Sequence, residues 1–290
     1  MQLDNKYSNI KIMSSTPGDM PLQGHLIEFR SRMIRAVAAI IIVTLFTASF
    51  GIHSTEFNGY NIYYPFPDPL HNISVQLTYY MRDTLLPQHV QLIQTAPGQA
   101  FFAQIYVSLL IGVIISIPVI TKEVVGFISP AIHTKENKKR ILSISVFLPM
   151  IGLFVVGVLF SYVLVIPFVL EFLYNYGQAI GVATFFNINE FISFVLQFLI
   201  GIGIAFELPV FMYAISLTGI TDASFWRKNF RYAIIIFVIF GAVITPDGSG
   251  ITMWLMTGPM IGLYLVGLAV IERKQRKRRR TELQVQTKEA

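Results

Sequence analysis

Long apolar runs separated by short polar ones set the pattern of this chain, and most are long enough to cross a membrane. A hydrocarbon layer of ~30 Å needs about 20 apolar residues in helical form. The runs predict six spans, at about 35–53, 100–120, 141–166, 191–214, 232–244 and 251–271. The fifth is short, with a helical rise of only ~20 Å. The fold class expected is therefore all-α, an integral membrane protein of six transmembrane helices, with a polar leader at 1–19, a membrane domain at 20–272 and a basic tail at 273–290.

The polar stretches carry their own patterns. Leu22, Leu26, Phe29, Met33 and Ile34 recur at helical spacing, with His25, Glu28, Arg30, Arg32 and Arg35 on the other sides. This predicts an interfacial helix running into the first span. Residues 54–98 hold Pro65, Pro67, Pro69, Pro87 and Pro97 and read as a folded extramembrane loop of irregular backbone, with a short strand or helix near 74–81. Asn72-Ile73-Ser74 fits a glycosylation sequon, a match that arises often by chance. Pro118 predicts a kink or exit for the second span, and Pro167 the far boundary of the third, with 168–190 as a loop. The tail is expected to be disordered beyond its first turn.

Composition narrows the class. The chain is 54% hydrophobic and 13% charged, where a soluble domain has about 25% charged residues. All 22 Lys and Arg residues except Arg82 lie on one side of the six-span layout: in the N-terminal segment, 121–140, 218–231 and the tail. That side reads as cytoplasmic, with both termini inside a cell membrane. The tail then reads as a tether to membrane lipids rather than a nucleic-acid contact. No cysteine is present, no cleaved signal peptide is expected, and no catalytic, nucleotide or metal motif occurs. Neither enzyme activity nor a cofactor is expected.

Glu207 is the polar group that stands out. It lies inside the fourth apolar run, two residues before Pro209 and after the small residues Gly201, Gly203 and Ala205, with Gln197 upstream. An ionisable group at such depth faces protein or water. Three readings are open: an internal packing bond, a docking point for a partner helix, or a proton- or ion-coupled transport site. Thr245, Asp247 and Ser249 mark the opposite mouth, with Asp247 simplest as a turn residue. On the basic side, Glu28 and Arg30 stand beside Glu123, Glu136 and the group Lys135, Lys138, Lys139 and Arg140. Acidic groups on that face suit a cationic peptide held by forked hydrogen bonds.

Five segments carry a family likeness: HLIEFRSR at 25–32, TAPGQAFF at 95–102, FISPAIHTKE at 127–136, GIGIAFELP at 201–209 and TPDGSG at 245–250. In this order and placement, they resemble the TatC family, the multispanning core of the twin-arginine protein translocase. The resemblance covers about residues 20–272. It implies a receptor that binds twin-arginine signal peptides at its cytoplasmic face and nucleates an assembly exporting folded proteins on the proton-motive force. It assigns Glu28, Arg30, Phe127 and Glu136 to the peptide site. Glu207 and Gln197 would meet partner helices, and Thr245 and Asp247 match the last extracytoplasmic turn. The partners implied are TatA- and TatB-type single-span proteins, with self-assembly. Gln99 departs from the family pattern, which often has an acidic residue there. The alternative kept is a carboxylate-coupled secondary transporter centred on Glu207.

Overall fold

The computed structural model describes residues 22–57, 60–87, 90–128, 144–245 and 248–289. Among these, five helices are long and apolar enough to cross a membrane, and a sixth apolar helix, Phe230–Ile244, is shorter.

Helix α1 (Leu22–Ser49) joins the interfacial segment and the first span without a break. It ends before residue 53 because Phe50 opens strand β1 (Phe50–Phe57), paired antiparallel with β2 (Tyr60–Pro67). Gly51 permits this hairpin to sit on the loop that follows, since a Cβ there would stand 2.4 Å from the His71 carbonyl oxygen. The 74–81 stretch is helical, within α2 (Ile73–Leu85). Asn72 caps that helix from a buried position: its side chain accepts from the Val75 amide and donates to the Ala48 and Pro69 carbonyls at 2.8 and 3.0 Å. In the folded chain this amide is committed to the cap and to the two carbonyls.

Strand β3 (Gln91–Ile93) pairs in parallel with β4 (Phe185–Asn187), clasping two extramembrane segments together. Helix α3 (Gln99–Ile128) passes through Pro118 rather than ending near 120. One missing N–H is tolerated where neighbours pack on the next turns, and Val125 is buried there against Val146 and Val210.

The third span also runs through its proline. Helix α4 (Ile144–Phe160) widens into a π-turn at Ser161–Val165 and continues as α5 (Ile166–Ala179). Ile166 N–H reaches back to the Ser161 carbonyl, and Pro167, which has no N–H, falls in the first turn of α5, where none is needed. The expected loop at 168–190 is thus mostly helix, burying Val169 and Leu170.

The fourth span is two helices, α6 (Ile188–Phe206) and α7 (Leu208–Thr218), with Glu207 at the joint. Gly219 closes α7 at φ +84°, in the left-handed region that favours glycine. After α8 (Ala223–Lys228), capped by Asp222, come α9 (Phe230–Ile244) and α10 (Gly250–Glu289). The tail extends α10 as helix instead of ending after one turn. Its Arg, Lys, Gln and Glu residues are good helix formers, and no Gly or Pro follows Gly267.

Two of the three apolar clusters among the described residues organise the bundle. One gathers Val107, Ile166, Leu170, Phe191, Phe198 and Ile202 around α6. The other gathers Met212, Phe237, Met260 and Tyr264 where α7, α9 and α10 meet. Helix α1 packs on α3, where Gly112 admits Thr44 and the Ile40 carbonyl. Its apolar span is otherwise open, with only 6% of it buried.

Candidate partner-binding site

Glu28, one turn before Arg32 on α1, shares that arginine with Glu123 on α3. Arg32 Nε and Nη2 donate to Glu28 Oε1 at 3.0 and 2.6 Å, and Nη1 donates to Glu123 Oε2 at 3.2 Å. Arg35 grips Glu123 with a fork, Nε to Oε1 at 2.8 Å and Nη2 to Oε2 at 2.7 Å. Gly126 makes room for this cluster, because a Cβ there would stand 2.2 Å from Arg32 Nη1. Phe29 and Phe127 close one side with rings 5.4 Å apart. Glu28 Oε2 is buried and has no hydrogen-bond partner among the described residues.

Phe127 thus stands against Phe29, the residue that follows Glu28, while Arg30 is exposed and outside the ion pairs of the described residues. Glu136 lies outside the described residues. The network adds Arg32, Arg35, Glu123 and Gly126 to the residues that the resemblance assigned to the peptide site. Glu123 had a signal: a carboxylate on an apolar run, facing an arginine-rich helix. Its depth did not, for it is 8% exposed rather than solvated.

The second site is the joint of the fourth span. Pro209 cannot donate to the carbonyl of Ala205, so the ladder breaks and Glu207 becomes a shared cap. Gly201 meets Ile244 and Met256, while Gly203 meets Phe154. The small-residue seam therefore serves two interfaces, one toward α9 and α10 and one toward α4. The Phe154 backbone faces the Glu207 carboxylate, yet both carboxylate oxygens, buried as they are, lack a hydrogen-bond partner among the described residues. Gln197 Oε1 is equally bare. Among the described residues no side chain seals this carboxylate, and a buried acceptor without a donor costs ~1–3 kcal/mol.

Thr245 is buried and bonds back to the Gly241 carbonyl at 2.8 Å, closing α9. Asp247 lies outside the described residues. Gln99, the departure from the family pattern, acts as an acceptor. Its Oε1 receives the Thr95 and Ala96 amides at 2.9 and 3.2 Å and Asn187 Nδ2 at 3.0 Å. A carboxylate would accept the same bonds, so the position asks for an oxygen and not for a charge.

Fold and composition together define a multi-pass membrane protein that holds carboxylates at two helix junctions, Glu28 and Glu123 at the α1–α3 crossing and Glu207 at the joint of the fourth span. The model of the Sec-independent protein translocase protein (TatC) family matches residues 24–259. The chain belongs to the TatC family. It is 49% identical over 259 residues to the Sec-independent protein translocase protein TatC of Cenarchaeum symbiosum, covering 89% of this chain and 97% of that one. The TatC of Aquifex aeolicus is 31% identical, covering 90% of this chain and 98% of its own. A crystal structure of the twin-arginine translocase receptor TatC superposes with a TM-score of 0.68 at 28% identity, covering 86% of this chain and 98% of that one. A second, in DDM, gives a TM-score of 0.70 at 28% identity, covering 85% and 99%. The family decides between translocase and transporter in favour of the translocase.

Proposed function

We propose that this chain is the receptor core of a twin-arginine translocase, reading arginine pairs with the carboxylates at the α1–α3 end of the bundle. The observation that carries the reading is Glu28, held at the helix crossing with one oxygen unpartnered among the described residues. A guanidinium offers two parallel N–H groups to a carboxylate, and an ammonium cannot copy that geometry. Glu136 and Arg30 join the site on the strength of the family resemblance.

Charge supports the orientation. The carboxylate site shares its side with all Lys and Arg residues but Arg82, which makes that side cytoplasmic with both termini inside the cell membrane. Within the membrane, Glu207 and Gln197 receive polar groups of TatA- or TatB-type single-span helices, and Asp247 with Thr245 shapes the far turn. Folded substrates then cross the assembly at the expense of the proton-motive force.

Photo-cross-linking tests the receptor reading. A cross-linker at Phe29, which is 45% exposed, captures a twin-arginine signal peptide and captures the twin-lysine version less. Equal capture of both peptides, or capture of neither, overturns it.

A further inference from the structure

The carboxylates at the α1–α3 crossing already hold two guanidiniums, and both belong to the chain itself. Arg32 bridges Glu28 to Glu123, and Arg35 forks onto Glu123. We infer that this is the recognition site in a self-occupied state. Arg32 and Arg35 stand where the arginines of a signal peptide dock, and Glu123 is the second carboxylate of the site. The inference rests on the receptor reading above and adds how the site is guarded.

Exposure grades the two resident arginines. The Arg35 side chain is 52% exposed and the Arg32 side chain 22%, against 11% for Glu123. Arg35 is therefore the one that can swing out to solvent at least cost. Glu28 Oε2, a buried acceptor with no described partner, is the inner docking point. One incoming guanidinium takes the place of Arg35 on Glu123, and its neighbour then reaches Glu28 Oε2. Like replaces like, so binding is reversible. A lysine pair gives up the forked geometry that the resident arginines had and cannot restore it.

The experiment is equilibrium binding of a fluorescent twin-arginine peptide to the full chain in lipid nanodiscs. Arg35→Gln is expected to tighten binding about tenfold, equivalent to ~1.4 kcal/mol, because the peptide no longer displaces a resident. Arg32→Gln tightens it as well, and Arg35→Lys, which keeps charge and fold but loses the fork, falls between. Lys122→Gln removes the same charge from the exposed neighbour of Glu123, a residue in no ion pair of the described residues, and changes affinity less than about twofold. Glu123→Gln weakens binding. Unchanged or weaker binding by both Arg35 variants overturns the self-occupied state, as does an equal gain from Lys122→Gln. The receptor reading fails separately, when Glu28→Gln and Glu123→Gln both bind the peptide as the unmodified chain does.

Discussion

Gly157 of α4 and Gly203 of α6 lie back to back: a Cβ on Gly157 would stand 3.1 Å from the Gly203 Cα and 2.8 Å from the Phe206 Cβ. The third and fourth spans therefore touch almost backbone to backbone, one turn before Glu207. This contact fixes the wall against which the carboxylate stands. Gly157→Val and Gly203→Val are each expected to destabilise the protein by ~1–3 kcal/mol through overpacking. Gly152→Ala, on the same helix with nothing within 4 Å of its Cβ, is neutral. Thermal unfolding in detergent separates the two outcomes.

Glu207 is expected to lower the stability of the isolated chain while serving its partners. Glu207→Leu removes the buried oxygens that lack a described donor and raises stability by ~1–3 kcal/mol. The same variant loses co-purification with single-span partner helices, and Glu207→Gln retains part of it. A destabilised Leu variant would mean that the carboxylate has an internal role after all.

Much of this was legible in the chain. Apolar run lengths pointed to six spans, and five long apolar helices with a sixth, shorter one stand among the described residues; the break of the fourth run at Glu207 was not expected, although Pro209 stands beside it in the sequence. The errors cluster at prolines. Pro118 read as a kink or exit and Pro167 as an end, but packing around Val125 and the π-turn at Ser161–Val165 carry both helices onward. Such compensation comes from neighbours distant in sequence, which local preference does not report. The pairing of Glu123 with Arg35 was hidden for the same reason: the two residues lie on helices whose crossing is set by Gly112 and Gly126. The short fifth helix and the acceptor role at Gln99 follow similarly unequal paths, the first visible in run length and the second only in three dimensions.

Gln99→Glu is expected to be neutral or to stabilise slightly, by up to ~1 kcal/mol, since a negative charge suits a helix N-terminus. Gln99→Leu strips the acceptor from Thr95, Ala96 and Asn187 and costs ~1 kcal/mol or more. Unfolding midpoints check this: the Leu variant's falls, and the Glu variant's holds or rises.

Asp68 gives the first extramembrane loop a pH dependence. Partial desolvation pushes its carboxyl up, but the His71 and Leu70 amides and the His71 ring outweigh that and hold it below the ordinary aspartate value. His53 also faces it, at 3.5 Å. A depressed carboxyl stabilises the fold above its unfolded value of about 3.9, and this contribution is lost as pH falls through the folded value. Unfolding midpoints at pH 6 and pH 3 should therefore differ more for the unmodified chain than for Asp68→Asn. An equal drop in both would remove Asp68 as the cause.

The most direct test of the receptor account is the affinity of purified protein in nanodiscs for a twin-arginine signal peptide, with and without Glu28→Ala. The account predicts at least tenfold weaker binding, ~1.4 kcal/mol or more, by a variant that still inserts and unfolds at its usual temperature. Glu136→Ala is expected to follow. Binding by Glu28→Ala at the affinity of the unmodified chain would contradict the account.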